Sequence, residues 1–145
     1  MKDKAATKSA PCLFCEIAAH KIDAKIVFED AISIAFLDHR PLFAGHCLLI
    51  PKTHYARLTD LPADLVGPLF LNAQHLTSAV ETAMNAEGSF VAMNNIVSQS
   101  VPHFHIHIVP RTKGDGLRGF FWPRQKLGDA ELVAIHDSVS RKSKK

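Results

Sequence analysis

Pro102-His103-Phe104-His105-Ile106-His107-Ile108-Val109-Pro110 places three histidines at alternate positions. Side chains along a strand alternate between its two faces. His103, His105 and His107 are therefore expected on one face, with Phe104, Ile106 and Ile108 on the other. Prolines bound the run, and it is rich in β-branched and aromatic residues, which predicts a strand with one buried face. Packing alone would fill the three histidine positions with Val or Thr. Imidazole is a nucleophile, a proton carrier and a metal ligand near neutral pH, so the alignment points to chemistry.

Phe90 to Met93 reads as the strand before the histidine run. Before it lies a helical pattern in which Leu65, Leu69, Ala73, Leu76, Val80 and Met84 recur at three- and four-residue steps. Gly67-Pro68 interrupts this pattern early, so the main helix is expected to start at Pro68, a tolerated first-turn residue. Lys25 to Glu29 and Ser33 to Leu37 read as strands around the Asp30-Ala31 turn. Arg40 to Gly45 is a loop, and His46 to Ile50 is a third strand ended by Pro51. Cys12 to His20 has room for a short helical turn, and Lys113-Gly114-Asp115-Gly116 is a turn. Asp129 is placed to cap a final helix through about Val139. The pattern predicts an α+β fold: an antiparallel sheet of about five strands, one long helix and a short C-terminal helix. Residues 1–11 read as a disordered lead, 12–140 as one domain and 141–145 as a basic tail.

A chain of 145 residues, 47% hydrophobic, fits one domain with a real core. Much of the net charge of +3 comes from Lys2, Lys4 and Lys8 in front and Arg141, Lys142, Lys144 and Lys145 behind, which read as solvated ends. Tyr55 and Trp122 are the only residues of their types, so there is no basic-aromatic platform and no nucleic-acid partner is expected. No apolar run approaches a membrane span, and the first eleven residues lack an apolar signal core. A cytoplasmic protein without a membrane partner is the expectation. Three cysteines do not make a disulfide framework. Cys47, within an apolar run, reads as an inert buried thiol. Cys12-x-x-Cys15 alone reads either as a redox pair or as half a zinc site. A redox pair usually opens a helix after a strand, whereas this one follows the lead.

The histidine run resembles the His-x-His-x-His signature of the histidine triad (HIT) nucleotide hydrolases and transferases, and its bacterial members in particular. Cys12-Leu13-Phe14-Cys15-Glu16-Ile17 resembles the family's opening. Ala35-Phe36-Leu37-Asp38, Pro41, Gly45-His46 and Leu49-Ile50-Pro51-Lys52-Thr53-His54 resemble its central block. Asn94-Asn95 and Ser98-Gln99-Ser100-Val101-Pro102 resemble the loop before the triad. The likeness covers about Cys12 to Arg111, and Gly119-Phe120-Phe121-Trp122-Pro123 is a looser match to Trp-Pro tails. This chain is shorter than many members between Asn94 and Gln99, and Ser98 stands where Gly is common.

The resemblance implies an enzyme that cleaves nucleoside phosphate derivatives at the α-phosphate, of the AMP-amide or dinucleoside polyphosphate type. His105 would be the nucleophile and His107 a donor to the phosphate oxygens. His46 would hydrogen-bond the nucleophile and fix its tautomer. Ser100, Asn94 and Gln99 would lie around the phosphate and leaving group. Asp38 would accept the ribose hydroxyls, while Phe14, Ile17, Phe36 and Leu37 wall a purine base. Covalent catalysis suits this chemistry, because a nucleotidyl-imidazole is labile and water can finish the reaction. The bacterial opening further implies a structural zinc on Cys12, Cys15, His54 and His103, a closed tetrahedral set. His20, His39, His75 and His136 are left as solvated or helix-surface residues, with contact to a ligand the lesser alternative for His39 beside Asp38. Family members usually dimerise through the long helix and a neighbouring strand. The stripe Leu69, Leu76 and Val80, with Phe70 beside it, is therefore expected in a twofold homodimer, with Trp122 reaching the partner's pocket; the alternative is that the stripe packs on the chain's own sheet. The alternative is a nucleotide-binding scaffold or regulatory protein with weak turnover.

Overall fold

Five short segments pair as antiparallel neighbours in the order β1-β2-β3-β5-β4. They are β1 (Ile26–Glu29), β2 (Ser33–Leu37), β3 (Cys47–Pro51), β4 (Gly88–Ala92) and β5 (Ile106–Arg111). Helix α1 (Leu13–Ala18) precedes them, α2 (Ala63–Ala83) links β3 to β4, and α3 (Asp129–Lys142) closes the chain. This computed structural model describes residues 11–118 and 124–145. The lead before residue 11 and the stretch Gly119 to Pro123, with Trp122, lie outside the described residues. The predicted α+β architecture is the observed one. The chain divides into two compact units, one ending at Asp115 and one spanning Gly116–Lys145.

Alternation along the strands makes two apolar layers. Ala35, Cys47, Leu49, Ile106 and Ile108 pack with Leu69, Ala73, Leu76 and Val80 of α2. On the opposite face Ile34, Phe36, Leu48 and Ile50 pack with Phe14 and Ile17 of α1. Ile34, Leu49, Leu69, Ile106 and Ile108 are fully buried. Each such side chain contributes about 1.5–3 kcal/mol. Asp30 ties the first turn to α2: its carboxylate accepts from the Ile32 and Ser33 amides and from Asn72 Nδ2.

Four expectations change. α2 begins at Ala63, and Pro68 lies inside it. Leu65 and Val66 already pack on the core, which recruits the first turn. Pro68 and Asp64 are both exposed, so water can reach the carbonyl that loses its amide donor. The regular ladder of β5 begins only at Ile106, because the His103 and Phe104 amides are used elsewhere, on the carbonyls of Val101 (2.8 Å) and Tyr55 (2.6 Å). The faces nevertheless alternate as expected: Phe104 joins the α2 layer, while the His103 and His105 rings meet Phe14. Gly128, not Asp129, is the N-cap of α3, and its amide donates to Glu131 Oε1. The stripe Leu69, Leu76 and Val80 is buried against the chain's own sheet, which takes it away from any partner.

Candidate active site and metal cluster

The turn from β2 into β3 delivers His46. Gly45 has φ +92°, and a Cβ there would sit 2.5 Å from Met84 Cγ and 3.3 Å from Pro110 Cγ. Only glycine meets both demands without strain. His46 is 3% exposed, and the Leu42 amide donates to its Nδ1 at 3.1 Å. Nδ1 therefore carries a lone pair, and in the neutral ring the proton is on Nε2. That Nε2–H lies 2.9 Å from Nδ1 of His107 and donates to it. The remaining proton of His107 is thereby placed on its own Nε2. Burial first, then the neighbouring His105 and His46, hold His107 neutral, with a pKa lowered to about 4 against the pull of Asp38. Burial likewise lowers the pKa of His46, again opposed by Asp38.

His105 is fixed by a different partner. Its Nδ1–H donates to the main-chain carbonyl of His103 at 2.7 Å. Nε2 of the neutral ring then keeps its lone pair, the state a nucleophile needs. The expectation that His46 holds the nucleophile is corrected here: His46 reaches His107, one residue pair further along β5. Leu48 on β3 lies opposite His107 in the ladder, so a side chain near the start of β3 meets His107 first.

A cleft of about 780 Å³ opens over this face. His105, His107 and Ser100 line it, as do Asp38, Phe14, Ile17, Phe36 and Leu37. Asp38 Oδ1 accepts from the Arg40 amide at 2.9 Å, and Oδ2 lies 3.6 Å from His46 Nε2. Asn94 and Gln99 are not among the lining residues. Gln99 braces the loop, donating to the Ala56 carbonyl and accepting from the Ile96 amide. Asn94 donates to the Ser98 carbonyl. Ser98 has φ +62°, the left-handed region that a glycine would occupy without cost, and Ile96 has φ +67°. Sequence reasoning did not assign Leu13, Ile22, Asp23, Lys25, Leu48 or Val101 to the cleft, and it left His39, also in the lining, among the solvated histidines. Ile22 to Lys25 carries no motif. The pairing of the Leu37 amide with the Lys25 carbonyl (2.9 Å) and the packing of Ala24 on the Phe14 and Phe36 layer bring that segment alongside.

Cys12, Cys15, His54 and His103 converge so that their ligand atoms all lie within 4.8 Å of one another. His103 Nε2–H donates to the Pro51 carbonyl at 2.8 Å, which leaves Nδ1 as a lone-pair donor. That Nδ1 is 3.2 Å from His54 Nδ1 and 3.5 Å from both sulfurs, and Cys15 Sγ is 3.3 Å from His54 Nδ1. Metal–nitrogen and metal–sulfur bonds of about 2.05 and 2.3 Å give tetrahedral edges of about 3.3 Å (N–N) and about 3.6 Å (N–S). The cluster fits a four-coordinate cation. Burial, then the Cys12 thiol, raises the Cys15 pKa to about 11 in the absence of metal. Burial, then the nearby His54 and His105, lowers that of His103 to about 4, although its bond to the Pro51 carbonyl works the other way. Asp38, His46 and His107 also cluster within that distance. There the Leu42 amide commits His46 to protonation at Nε2, so this second group is a proton-bearing array and not a metal set.

Residues 19–114 match the family described as HIT domain. Adenosine 5'-monophosphoramidase hnt1 of Schizosaccharomyces pombe is 33% identical over 135 residues, covering 92% of this chain and 98% of that protein. The structure of a HIT family member from Bacillus subtilis superposes with a TM-score of 0.84 at 29% identity, covering 94% of this chain and 99% of the other. A zinc-bound histidine triad family protein from Mycobacterium smegmatis gives a TM-score of 0.70 at 32% identity, covering 91% and 97%. The chain belongs to the HIT family, with a His/Cys cluster close to its N-terminal end. Its histidine cluster is consistent with hydrolysis of a nucleotide phosphate. Among the described residues no helix is long and apolar enough to cross a membrane.

Proposed function

We propose that this protein is a nucleotide hydrolase that cleaves purine nucleoside phosphate derivatives at the α-phosphate through a nucleotidyl-His105 intermediate. One observation carries the reading: His105 is held with a bare Nε2 in the cleft while His46 orients His107 as a neutral donor beside it. His105 Nε2 forms a bond to phosphorus as the bond to the leaving group breaks and its electron pair departs with that group. The imidazole becomes positively charged, and the His103 carbonyl on Nδ1–H stabilises that charge. His107 Nε2–H donates to a non-bridging oxygen, where charge gathers in the transition state. Water then attacks the same phosphorus as the P–Nε2 electron pair returns to His105; one proton of that water passes to solvent, replacing the proton that the departed leaving group takes up, and the nucleoside monophosphate is released. Ser100 lies at the phosphate end, Asp38 receives the ribose hydroxyls, and Phe14, Ile17, Phe36 and Leu37 flank the base.

The leaving groups considered are amines, as the name of the fission-yeast relative suggests, and nucleoside polyphosphates. We assign zinc to Cys12, Cys15, His54 and His103, and the chain to the bacterial-type branch with one domain over 12–140. When bound, zinc would neutralise the thiolates and brace the segment whose His103 carbonyl holds the nucleophile. A homodimer belongs to the same reading, on apolar residues the sheet leaves exposed: Leu71 of α2 and Val91 of the edge strand β4. A cytoplasmic location completes it.

Hydrolysis in isotopically labelled water tests the mechanism. Label is expected in the nucleoside monophosphate, with an acid-labile, alkali-stable adduct that is absent in His105→Ala. Label in the leaving group would mean attack at another atom and would overturn the nucleotidyl-histidine step. Nucleotide binding without any turnover would favour a scaffold or regulatory protein.

A further inference from the structure

Among the described residues, three charged ones line the cleft: Asp38, Asp23 and Lys25. Asp38 is engaged with the Arg40 amide and lies beside His46. Asp23 and Lys25 are exposed, and among the described residues neither side chain has a hydrogen-bond or ion-pair partner. They stand two residues apart on the segment that enters β1, where the Lys25 carbonyl receives the Leu37 amide. Strand order places β1 three steps from β5. At about 4.8 Å per step that is about 14 Å across the sheet. A nucleotide with its phosphorus at His105 and its ribose at Asp38 lies along this line. Its base then points toward Asp23 and Lys25 between the apolar walls.

The outer edge of guanine offers N1–H and the N2 amino group as adjacent donors, with O6 as an acceptor beside them. A carboxylate accepts from two adjacent donors, and an ammonium group donates to O6. Adenine presents a single amino donor next to a bare N1, so even with Lys25 donating to N1 it meets the carboxylate through one bond where guanine makes two. A site built to hydrogen-bond a particular edge rejects the analogue that cannot match it. We infer that Asp23 and Lys25 make this cleft select guanine over adenine, so that its preferred ligands are guanosine 5'-phosphate derivatives. The inference rests on the nucleotide reading given above.

Titration calorimetry of the full chain with 5'-GMP, 5'-IMP and 5'-AMP at physiological salt tests it. GMP is expected to bind about tenfold more tightly than AMP, a modest figure because both charges are solvated. IMP, which keeps N1–H and O6 but lacks the amino group, falls between them. Asp23→Asn and Lys25→Ala each bring GMP affinity toward that of AMP while AMP affinity changes less than about twofold. Thermal melts of both variants should match the parent, since both side chains are exposed. Equal binding of GMP and AMP by the parent, or a guanine preference that survives in Asp23→Asn, overturns the inference and leaves the nucleotide reading standing. Binding of none of the three nucleotides overturns both.

Discussion

Each histidine of the site has one nitrogen committed before any substrate arrives. The Leu42 amide sets His46, His46 sets His107, the His103 carbonyl sets His105, and the Pro51 carbonyl sets His103. Replacing His46 by Ala removes the donor to His107 Nδ1, and the ring is free to turn a lone pair toward the phosphate oxygens. His46→Ala is therefore expected to lower kcat by about 10²-fold with little change in KM, the pattern of a lost transition-state donor. Steady-state kinetics with a 5'-AMP amide checks this; a change confined to KM would show that His46 serves binding alone. The alternation of histidines was legible in the sequence, because a period of two needs no tertiary information. The tautomers were not, since three of the four are set by backbone groups whose positions depend on turns. His107 also gives a pH dependence. Its folded pKa of about 4 lies below the ordinary 6.5, so the unfolded chain takes up the proton first as pH falls. Its contribution to stability is complete above about pH 6.5 and is lost progressively toward pH 4, by about 3 kcal/mol in all. Urea unfolding at pH 7 and pH 5 should show a smaller fall in His107→Asn than in the parent. Equal falls would contradict it.

Among the elements, a glycine inside α2 and one on the turn from β2 into β3 respond differently to an added methyl group. Gly67 is helical, and an added Cβ would meet nothing within 4 Å beyond its chain neighbours and its own helix backbone. Gly67→Ala is expected to change stability by less than about 0.5 kcal/mol, because the gain in helix propensity is offset by the new Cβ meeting the ring of Pro68, which disfavours the helical region for the residue before it. Gly45→Ala meets both a positive φ and the Met84 side chain, and is expected to cost about 2 kcal/mol. It would also displace His46, so activity should fall more than stability alone explains. Denaturant midpoints of the two variants settle the contrast. The same helix shows where the sequence misled. A Gly-Pro pair reads locally as a start signal, yet Leu65 and Val66 gain enough by packing that the helix runs through it. The stripe Leu69, Leu76 and Val80 was read correctly as one face, but periodicity cannot say whether a face meets its own sheet or another chain.

For the molecule as a whole, Cys12 and Cys15 precede the sheet and His54 follows β3, while His103 leads into β5. A cation bound there cross-links the N-terminal end to the strand pair that carries the nucleophile. The unfolded chain offers no such preformed set, so binding free energy becomes folding free energy. Removing zinc with a chelator is expected to lower Tm by about 10 °C, the shift that about 4 kcal/mol gives a chain of this size. Cys12→Ser should show the same low Tm with or without added zinc, and should hold less than one metal ion per chain by elemental analysis. Part of the activity should survive in it, because the His46–His107 array and the cleft are built from other residues. Thiols bind metal as thiolates, and the Cys15 thiol is protonated at neutral pH when metal is absent. Binding must expel that proton, so apparent zinc affinity should fall at least about tenfold for each unit of pH below neutrality. Chelator competition at pH 6.5 and 7.5 measures the slope. A flat profile, or metal-free protein with both thiols intact and an unchanged Tm, would show that these four side chains meet without holding a metal.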